Sequence, residues 1–253
     1  MLLAHALGTP RWKLLTLGGA DADAASRFEA LVSEREQTGR PVAYLVGTRE
    51  FLDLDLAVDE RVLVPRPETE LVVECFRALH AGGSLPAGPV VDRGTGSGNI
   101  ALSVCDLRPV IATDISPAAL AVARANVAAR AAGARVLLVE ADGLRCVRAG
   151  SLAAVLSNPP YVAPEDVERL PEDVRRHEPL LALVPGEGSV PAMFTRLLAE
   201  SRAALRPGGW LVTEVGAGQA ALVASLASVH GYGWVDIHPD LAGIERVIAA
   251  RRA

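Results

Sequence analysis

From residue 90 onward, short apolar segments alternate with stretches of helical periodicity. No other feature restricts the fold as strongly. The segments at 90–92, 110–113, 135–140, 152–156 and 210–215 read as short apolar strands. Between them, 100–107, 117–132, 194–205 and 220–229 carry helical spacing. Such alternation demands an open, mostly parallel sheet with helices on both faces. The segments 234–237 and 246–250 are placed to close it as an antiparallel pair. The chain is 253 residues long and 50% hydrophobic, so one large α/β unit, or a core with an appendage, can bury its apolar surface. Aromatic residues make up only 4%, which leaves the core to Ala, Val and Leu.

The region before the sheet is organised differently. Residues 1–48 contain short helical patterns: Leu2, Leu3, Ala6 and Leu7 share one face, and Phe28, Leu31 and Val32 another. Thr38-Gly39-Arg40-Pro41 stops the second. Residues 51–64 alternate, with a break at Asp59-Glu60, and predict a hairpin whose second strand is 61–64. Pro67 and the acidic residues after it start a helix. Gly82, Gly83, Pro86 and Gly88 then read as a linker. The expected division is 1–48 helical, 49–86 hairpin-and-helix connector, and 87–253 sheet domain.

Charge and cysteine content exclude several function classes. A net charge of −5 argues against a chain that grips long nucleic acid through phosphate neutralisation. Cys75, Cys105 and Cys146 are far apart, without paired metal-ligand spacing; each is expected to be a small buried hydrophobe in a reducing cytoplasm, and no metal site is expected. No segment approaches the length of a membrane span, and the opening MLLAHALGTP lacks the basic start of a signal peptide.

Three strand ends carry the candidate chemistry. At the first, Asp92-Arg93-Gly94-Thr95-Gly96-Ser97-Gly98 offers a tight turn against which a ligand can lie. Its Gly-x-Gly-x-Gly spacing departs from the dinucleotide fingerprint, and no Lys-Ser/Thr pair follows to make a phosphate loop. Asp114, about 20 residues on, ends the second strand where ribose hydroxyls would be met. Its alternative use is as N-cap of the next helix. Asp142, after the third strand, is placed to contact an adenine amino group. In this order the three describe an adenosyl pocket and favour S-adenosylmethionine over a dinucleotide.

The fourth strand ends in Ser157-Asn158-Pro159-Pro160-Tyr161. Two prolines restrict the backbone so that the Asn158 side chain and the carbonyl before Pro160 are held rigidly. Both accept hydrogen bonds when the Asn oxygen points inward, so a planar NH2 group can donate one hydrogen to each. Tyr161 offers a flat face for that group. An amide nitrogen is a poor nucleophile, and such a clamp both orients it and stabilises developing positive charge.

With these residues in view, the chain resembles the HemK/PrmC family of protein-(glutamine-N5) methyltransferases, which modify the Gly-Gly-Gln glutamine of class I peptide chain release factors. The resemblance runs nearly end to end. It is carried by GRPVAYLVGTREF (39–51), VLVPRPETELVVE (62–74), VDRGTGSGNIALS (91–103), ATDIS (112–116), SNPPYV (157–162), HEPLLAL (177–183) and DLAGIERVI (240–248). It implies a Rossmann-like class I S-adenosylmethionine-dependent methyltransferase fold, with a seven-stranded sheet and a small N-terminal helical domain. Gly94, Thr95, Gly96, Gly98, Asp114, Asp142 and Asn158 would hold S-adenosylmethionine, which leaves as S-adenosylhomocysteine. Asn158, Pro159, Pro160 and Tyr161 would hold the acceptor glutamine, bordered by Arg66, Pro67 and Glu68 and by Glu178-Pro179. The implied partner is a release factor, met by a cytoplasmic monomer without direct nucleic-acid contact.

The sequence departs from the family pattern at three places. Arg93 replaces an aliphatic residue, the stretch 104–110 is slightly short, and the N-terminal helical domain is shortened. These departures leave two readings besides the family pattern: an upstream start, or a paralogous S-adenosylmethionine-dependent N-methyltransferase acting on a small molecule or another protein.

Overall fold

A computed structural model describes residues 1–16, 19, 21–186 and 188–253. Helices α1 (Leu2–Ala6), α2 (Ala22–Thr38) and α3 (Val42–Val46) precede a two-stranded hairpin of β1 (Thr48–Phe51) and β2 (Leu54–Ala57). A 3-10 turn at Pro67–Thr69 leads into α4 (Glu70–Ala81). Then come β3 (Val90–Arg93), α5 (Asn99–Val104), β4 (Val110–Asp114), α6 (Pro117–Ala129), β5 (Val136–Glu140) and β6 (Leu152–Ser157). Short helices α7 (Glu172–His177) and α8 (Leu180–Leu183) follow. The chain ends with α9 (Val190–Ala204), β7 (Leu205–Glu214), α10 (Ala220–Val229), β8 (Tyr232–Pro239) and β9 (Glu245–Arg252).

The seven-stranded sheet has the order β5-β4-β3-β6-β7-β9-β8, with β9 antiparallel to both neighbours and the other pairings parallel. The order reverses between β3 and β6, because the chain works outward to β5 and then returns to the other side. Loops after β3 and β6 therefore open a crevice at the carboxyl ends of adjacent strands. β6 is buried along its whole length, as the central position of a sheet covered on both faces requires. One core layer packs α4 and α5 on the sheet through Val72, Val73, Phe76, Ile100 and Val104. The other packs α9 and α10 through Phe194, Leu197, Leu198 and Val223.

Several expectations shift. The hairpin turns at Leu52-Asp53, not at Asp59-Glu60, with Phe51 pairing Leu54. Residues 61–64 form no strand. Val62 and Val64 instead pack with Ala119 and Val122 of α6, and the Tyr44 hydroxyl donates to the Val62 carbonyl at 2.6 Å. Cys75 and Cys105 are buried as expected, whereas Cys146 is exposed. It sits in the loop before β6, where no neighbouring layer covers it. The residues Phe28, Leu31 and Val32 do share a helix, but they are only half-buried, and Ala24 is the buried residue of α2. No helix among the described residues is long and apolar enough to cross a membrane.

Candidate active site

The turn after β3 is built by backbone bonds before any ligand is considered. Gly94 and Thr95 both donate to the Thr113 carbonyl, at 2.8 and 2.9 Å, and Gly98 donates to the Thr95 carbonyl at 2.8 Å. Gly94 and Gly96 have φ of +74° and +54°, and a Cβ added at either would meet nothing within 4 Å. Their α-carbons thus face open space in a backbone conformation that side chains disfavour. From below, Asn126 of α6 donates to the Ser97 carbonyl at 2.8 Å and pairs through both ends of its amide with Ala57. One buried amide thereby locks the turn to α6 and to β2.

Asp114 resolves the alternative left open by its sequence position. Ser116, not Asp114, caps α6, its side chain accepting from Ala119 N–H at 3.2 Å. Asp114 accepts from Gly96 N–H at 2.9 Å and from Ser116 N–H at 2.9 Å, one through each oxygen. Each oxygen retains capacity for a further donor, as a ribose hydroxyl would require. Burial raises its carboxyl above the ordinary range, although these backbone donors oppose the shift.

Asp92 lies wholly buried beneath the turn. Its Oδ2 accepts from the Thr95 hydroxyl at 2.6 Å and from Ala101 N–H at 3.0 Å, while Oδ1 has no partner among the described residues. Desolvation pushes its carboxyl up to about 7 in spite of those two bonds. The folded protein therefore binds this proton more tightly than the unfolded chain, whose Asp titrates near ~3.9. The contribution disfavours folding above pH 7 and is relieved as the pH falls through 7 toward 4. Thermal midpoints of wild type and Asp92→Asn, compared from pH 8 to pH 5, should show wild type gaining on the variant. A difference that does not change with pH would count against an ionising Asp92.

Arg93 is nearly buried, its side chain 12% exposed, with Nε 3.9 Å from Glu200 of α9. Glu200 also accepts from Arg196 Nε at 2.7 Å and from Leu144 N–H at 3.2 Å, and Arg196 in turn holds Asp142 Oδ1 at 2.8 Å. The unusual arginine is thus met by a carboxylate on the next layer. Asp142 is engaged by Arg196 while still standing at the pocket wall.

At the end of β6, the Ser157 hydroxyl donates to the Arg93 carbonyl at 2.9 Å, joining the two loops. The Asn158 amide donates through Nδ2 to Thr69 Oγ1 at 2.9 Å, which leaves Oδ1 as the free acceptor. The Thr69 hydroxyl donates to Glu214 Oε2 at 2.5 Å, and the Tyr161 hydroxyl donates to Glu214 Oε1 at 2.7 Å. Gln219 Nε2 donates to the Tyr161 carbonyl at 3.0 Å. The four residues Asn158, Thr69, Glu214 and Tyr161 are thus linked in one hydrogen-bonded chain under the loop of residues 158–161, called the acceptor loop below for the role proposed for it. Burial raises the Glu214 carboxyl above its usual range, and the Tyr161 hydroxyl is raised as well by burial and by that carboxylate.

The segment after this loop folds back over the crevice. Arg66 grips both oxygens of Glu178 at 2.7 Å, with the Glu178 side chain 1% and the Arg66 side chain 30% exposed. The same segment reaches the N-terminal helices: Arg35 pairs with Asp173 at 3.2 Å, and His177 Nε2 bonds the Thr38 carbonyl at 2.9 Å. It carries Pro179, Leu181 and Ala182 onto the cavity wall.

The cavity so enclosed is about 530 Å3. It brings together Arg66, Gly94, Thr95, Gly96, Asp114, Asp142, Asn158, Pro160 and Pro179. Gly98, Pro159, Tyr161, Glu68 and Glu178 stand behind or beside this wall: Gly98 caps α5, Tyr161 braces the acceptor loop, and Glu178 anchors Arg66. Thr69 and Glu214 were not singled out by the sequence, although Thr69 lies inside the PRPETE motif and Glu214 closes an apolar strand as a lone acid.

An open glycine turn, an acid at the next strand end, and a sheet of this order define a class I S-adenosylmethionine-dependent methyltransferase. Known proteins share this pattern. The methyltransferase small domain family matches residues 67–172, and the PrmC N-terminal domain matches residues 1–47. A release factor glutamine methyltransferase of Cereibacter sphaeroides is 40% identical over 99% of this chain and 88% of its own length. One from Moorella thermoacetica is 42% identical over 90% of this chain and 81% of its own. Among solved structures, a methyltransferase from Pyrococcus furiosus shares the fold with a TM-score of 0.56, at 18% identity, over 90% of this chain and 99% of that one. The chain belongs to the release factor glutamine methyltransferase family.

Proposed function

We propose that this protein transfers the methyl group of S-adenosylmethionine to the side-chain amide nitrogen, N5, of the glutamine in the Gly-Gly-Gln motif of class I peptide chain release factors. The observation that carries the reading is the orientation of Asn158. Its NH2 is turned to Thr69, so its carbonyl oxygen is the group placed to accept from a substrate on the cavity side.

Gly94, Gly96 and Asp114 fit the adenosyl ligand, since the glycine turn is open where a Cβ would intrude and Asp114 retains acceptor capacity. Thr95 and Asp142, also on the cavity wall, complete that assignment, while Gly98 packs against α6 behind the turn. When bound, S-adenosylmethionine supplies an electrophilic methyl on a sulfonium sulfur and leaves as S-adenosylhomocysteine. Asn158 Oδ1 and the backbone carbonyl before Pro160 accept the two amide hydrogens of the glutamine. Holding both hydrogens fixes the direction of the nitrogen lone pair, and the two acceptors stabilise positive charge as the new N–C bond forms. The surplus proton then leaves the nitrogen for water, so no side chain need act as a strong base. Pro159 stiffens the loop, and Tyr161, off the cavity wall and bonded to Glu214, holds the loop from behind rather than offering its face to the acceptor.

In this reading residues 1–48 recognise the release factor, 49–86 connect, and 87–253 perform the chemistry. The contacts of Arg35 and Thr38 with the segment over the crevice support a link between recognition and the cavity. Arg66 and Glu68 border the acceptor. A net charge of −5 favours a protein substrate over a nucleic acid.

The test is direct. The purified protein, labelled S-adenosylmethionine and a class I release factor should yield one methyl on the Gly-Gly-Gln glutamine, mapped by mass spectrometry. Cofactor binding with no label on any release factor would overturn the substrate, and no cofactor binding would overturn the chemistry.

A further inference from the structure

We propose that Thr69 and Glu214 are positioning residues that fix the flip state of the Asn158 amide and so decide whether the acceptor loop can receive an NH2 group. The inference rests on the reading of Asn158 as the acceptor-binding group and extends it to Thr69, beside it on the cavity wall, and to Glu214 behind that wall, both acting through the Asn158 amide.

The logic is one of proton direction. An ionised carboxylate only accepts hydrogen bonds, whereas a hydroxyl has one proton to give. Glu214 takes the Tyr161 proton on Oε1 and the Thr69 proton on Oε2. With its proton committed, Thr69 Oγ1 can only accept, and the group 2.9 Å from it on Asn158 must be the NH2. Asn158 Oδ1 is then turned toward the acceptor. An asparagine without such a partner could present either end, and the wrong end would set NH2 against NH2. The loss is substantial, because a partly buried donor left without its acceptor costs more than an ordinary hydrogen bond returns.

The carboxylate must be charged for this to hold. A protonated Glu214 donates one bond itself, which frees the Thr69 proton to turn toward Asn158 and makes both amide orientations satisfiable. Four groups face the carboxyl: Thr69 on the 3-10 turn, Tyr161 on the acceptor loop, Glu68 beside Thr69, and Arg246 on β9. Burial and Glu68 favour the neutral form, while the two hydroxyls and Arg246 favour the charged one, and burial is the largest influence. The acidic limb of the kcat profile should accordingly lie above the usual carboxylate range and belong to Glu214.

Three variants of the full-length protein test this. Thr69→Val keeps the shape but removes the hydroxyl, Thr69→Ser restores it, and Glu214→Gln keeps the size but removes the charge. Thr69→Val and Glu214→Gln should each lower kcat on the order of 10–100-fold, the scale of a misplaced reacting group, with KM for S-adenosylmethionine unchanged. Thr69→Ser should return close to wild type, and Glu214→Gln should lose the acidic limb. Wild-type kcat in Thr69→Val, or an acidic limb retained in Glu214→Gln, overturns the proposal.

A second readout needs no acceptor. The side-chain NH2 resonances of Asn158, followed by NMR against pH, should show one step that disappears in Glu214→Gln; a step unaffected by that change also overturns the proposal. Should the wild-type enzyme methylate no release factor, the substrate reading fails while this titration still decides the role of Thr69 and Glu214.

Discussion

Replacing Asn158 by alanine is expected to lower kcat for methyl transfer to a release factor by roughly 10²–10³-fold, the usual loss when one preorganised stabilising group is removed from a reacting centre. The substitution deletes the acceptor that Thr69 holds toward the cavity. It leaves intact the turn of Gly94 and Gly96, which is held by the Thr113 carbonyl and by Asn126. Cofactor affinity should therefore change by less than about tenfold, or 1.4 kcal/mol. Steady-state assays and calorimetric titration with S-adenosylhomocysteine separate the two quantities. A variant that turns over within a few-fold of wild type would remove Asn158 from the mechanism.

Arg66→Ala is expected to destabilise the fold by about 3 kcal/mol, because it leaves a nearly fully buried carboxylate without its counter-charge. For a chain of this size that corresponds to a fall of roughly 10 °C in thermal midpoint. Burial already raises the Glu178 carboxyl against the pull of Arg66. With the arginine gone it rises further above its unfolded value, so the damage is greatest above that raised pKa and shrinks as the pH falls. Adding Glu178→Gln to the variant removes the stranded charge and should recover much of the loss. Calorimetry of the two single variants and the double variant at pH 5 and pH 8 checks both claims. Equal losses at both pH values, or no recovery in the double variant, would contradict them. Because Glu178-Pro179 leads directly into Leu181 and Ala182 on the cavity wall, Arg66→Ala should also raise KM for the cofactor.

The parts of the site that were legible in the sequence are those made by neighbours in the chain. A glycine turn between a strand and a helix needs its residues within seven positions, and the acceptor loop needs four. The alternation of strands and helices named the sheet, and the terminal antiparallel pair appeared as β8 and β9. The alternation of residues 51–64 also fits a hairpin turning at Asp59-Glu60, whereas the chain turns at Leu52-Asp53. Packing of Val62 and Val64 against α6, with Tyr44 taking the Val62 carbonyl, chose between them. Cys146 looked like its two buried counterparts, since nothing local tells a cysteine whether another layer will cover it.

What the sequence by itself determined is where chemistry can be offered: a glycine turn, an acid at the next strand end and a proline-stiffened loop, each confined to a short run of residues. What only the tertiary structure decided is how that clamp is oriented and braced. Thr69 and Glu214 are 145 residues apart in the chain, and Asn158 and Thr69 are 89 apart. The folded sheet and the turn before α4 bring them within hydrogen-bond distance. The same holds for Arg66 and Glu178, 112 residues apart. Hydrogen bonds act over about 3 Å and carry no memory of chain separation, so a lone threonine and a lone glutamate acquire their meaning only where the fold places them together.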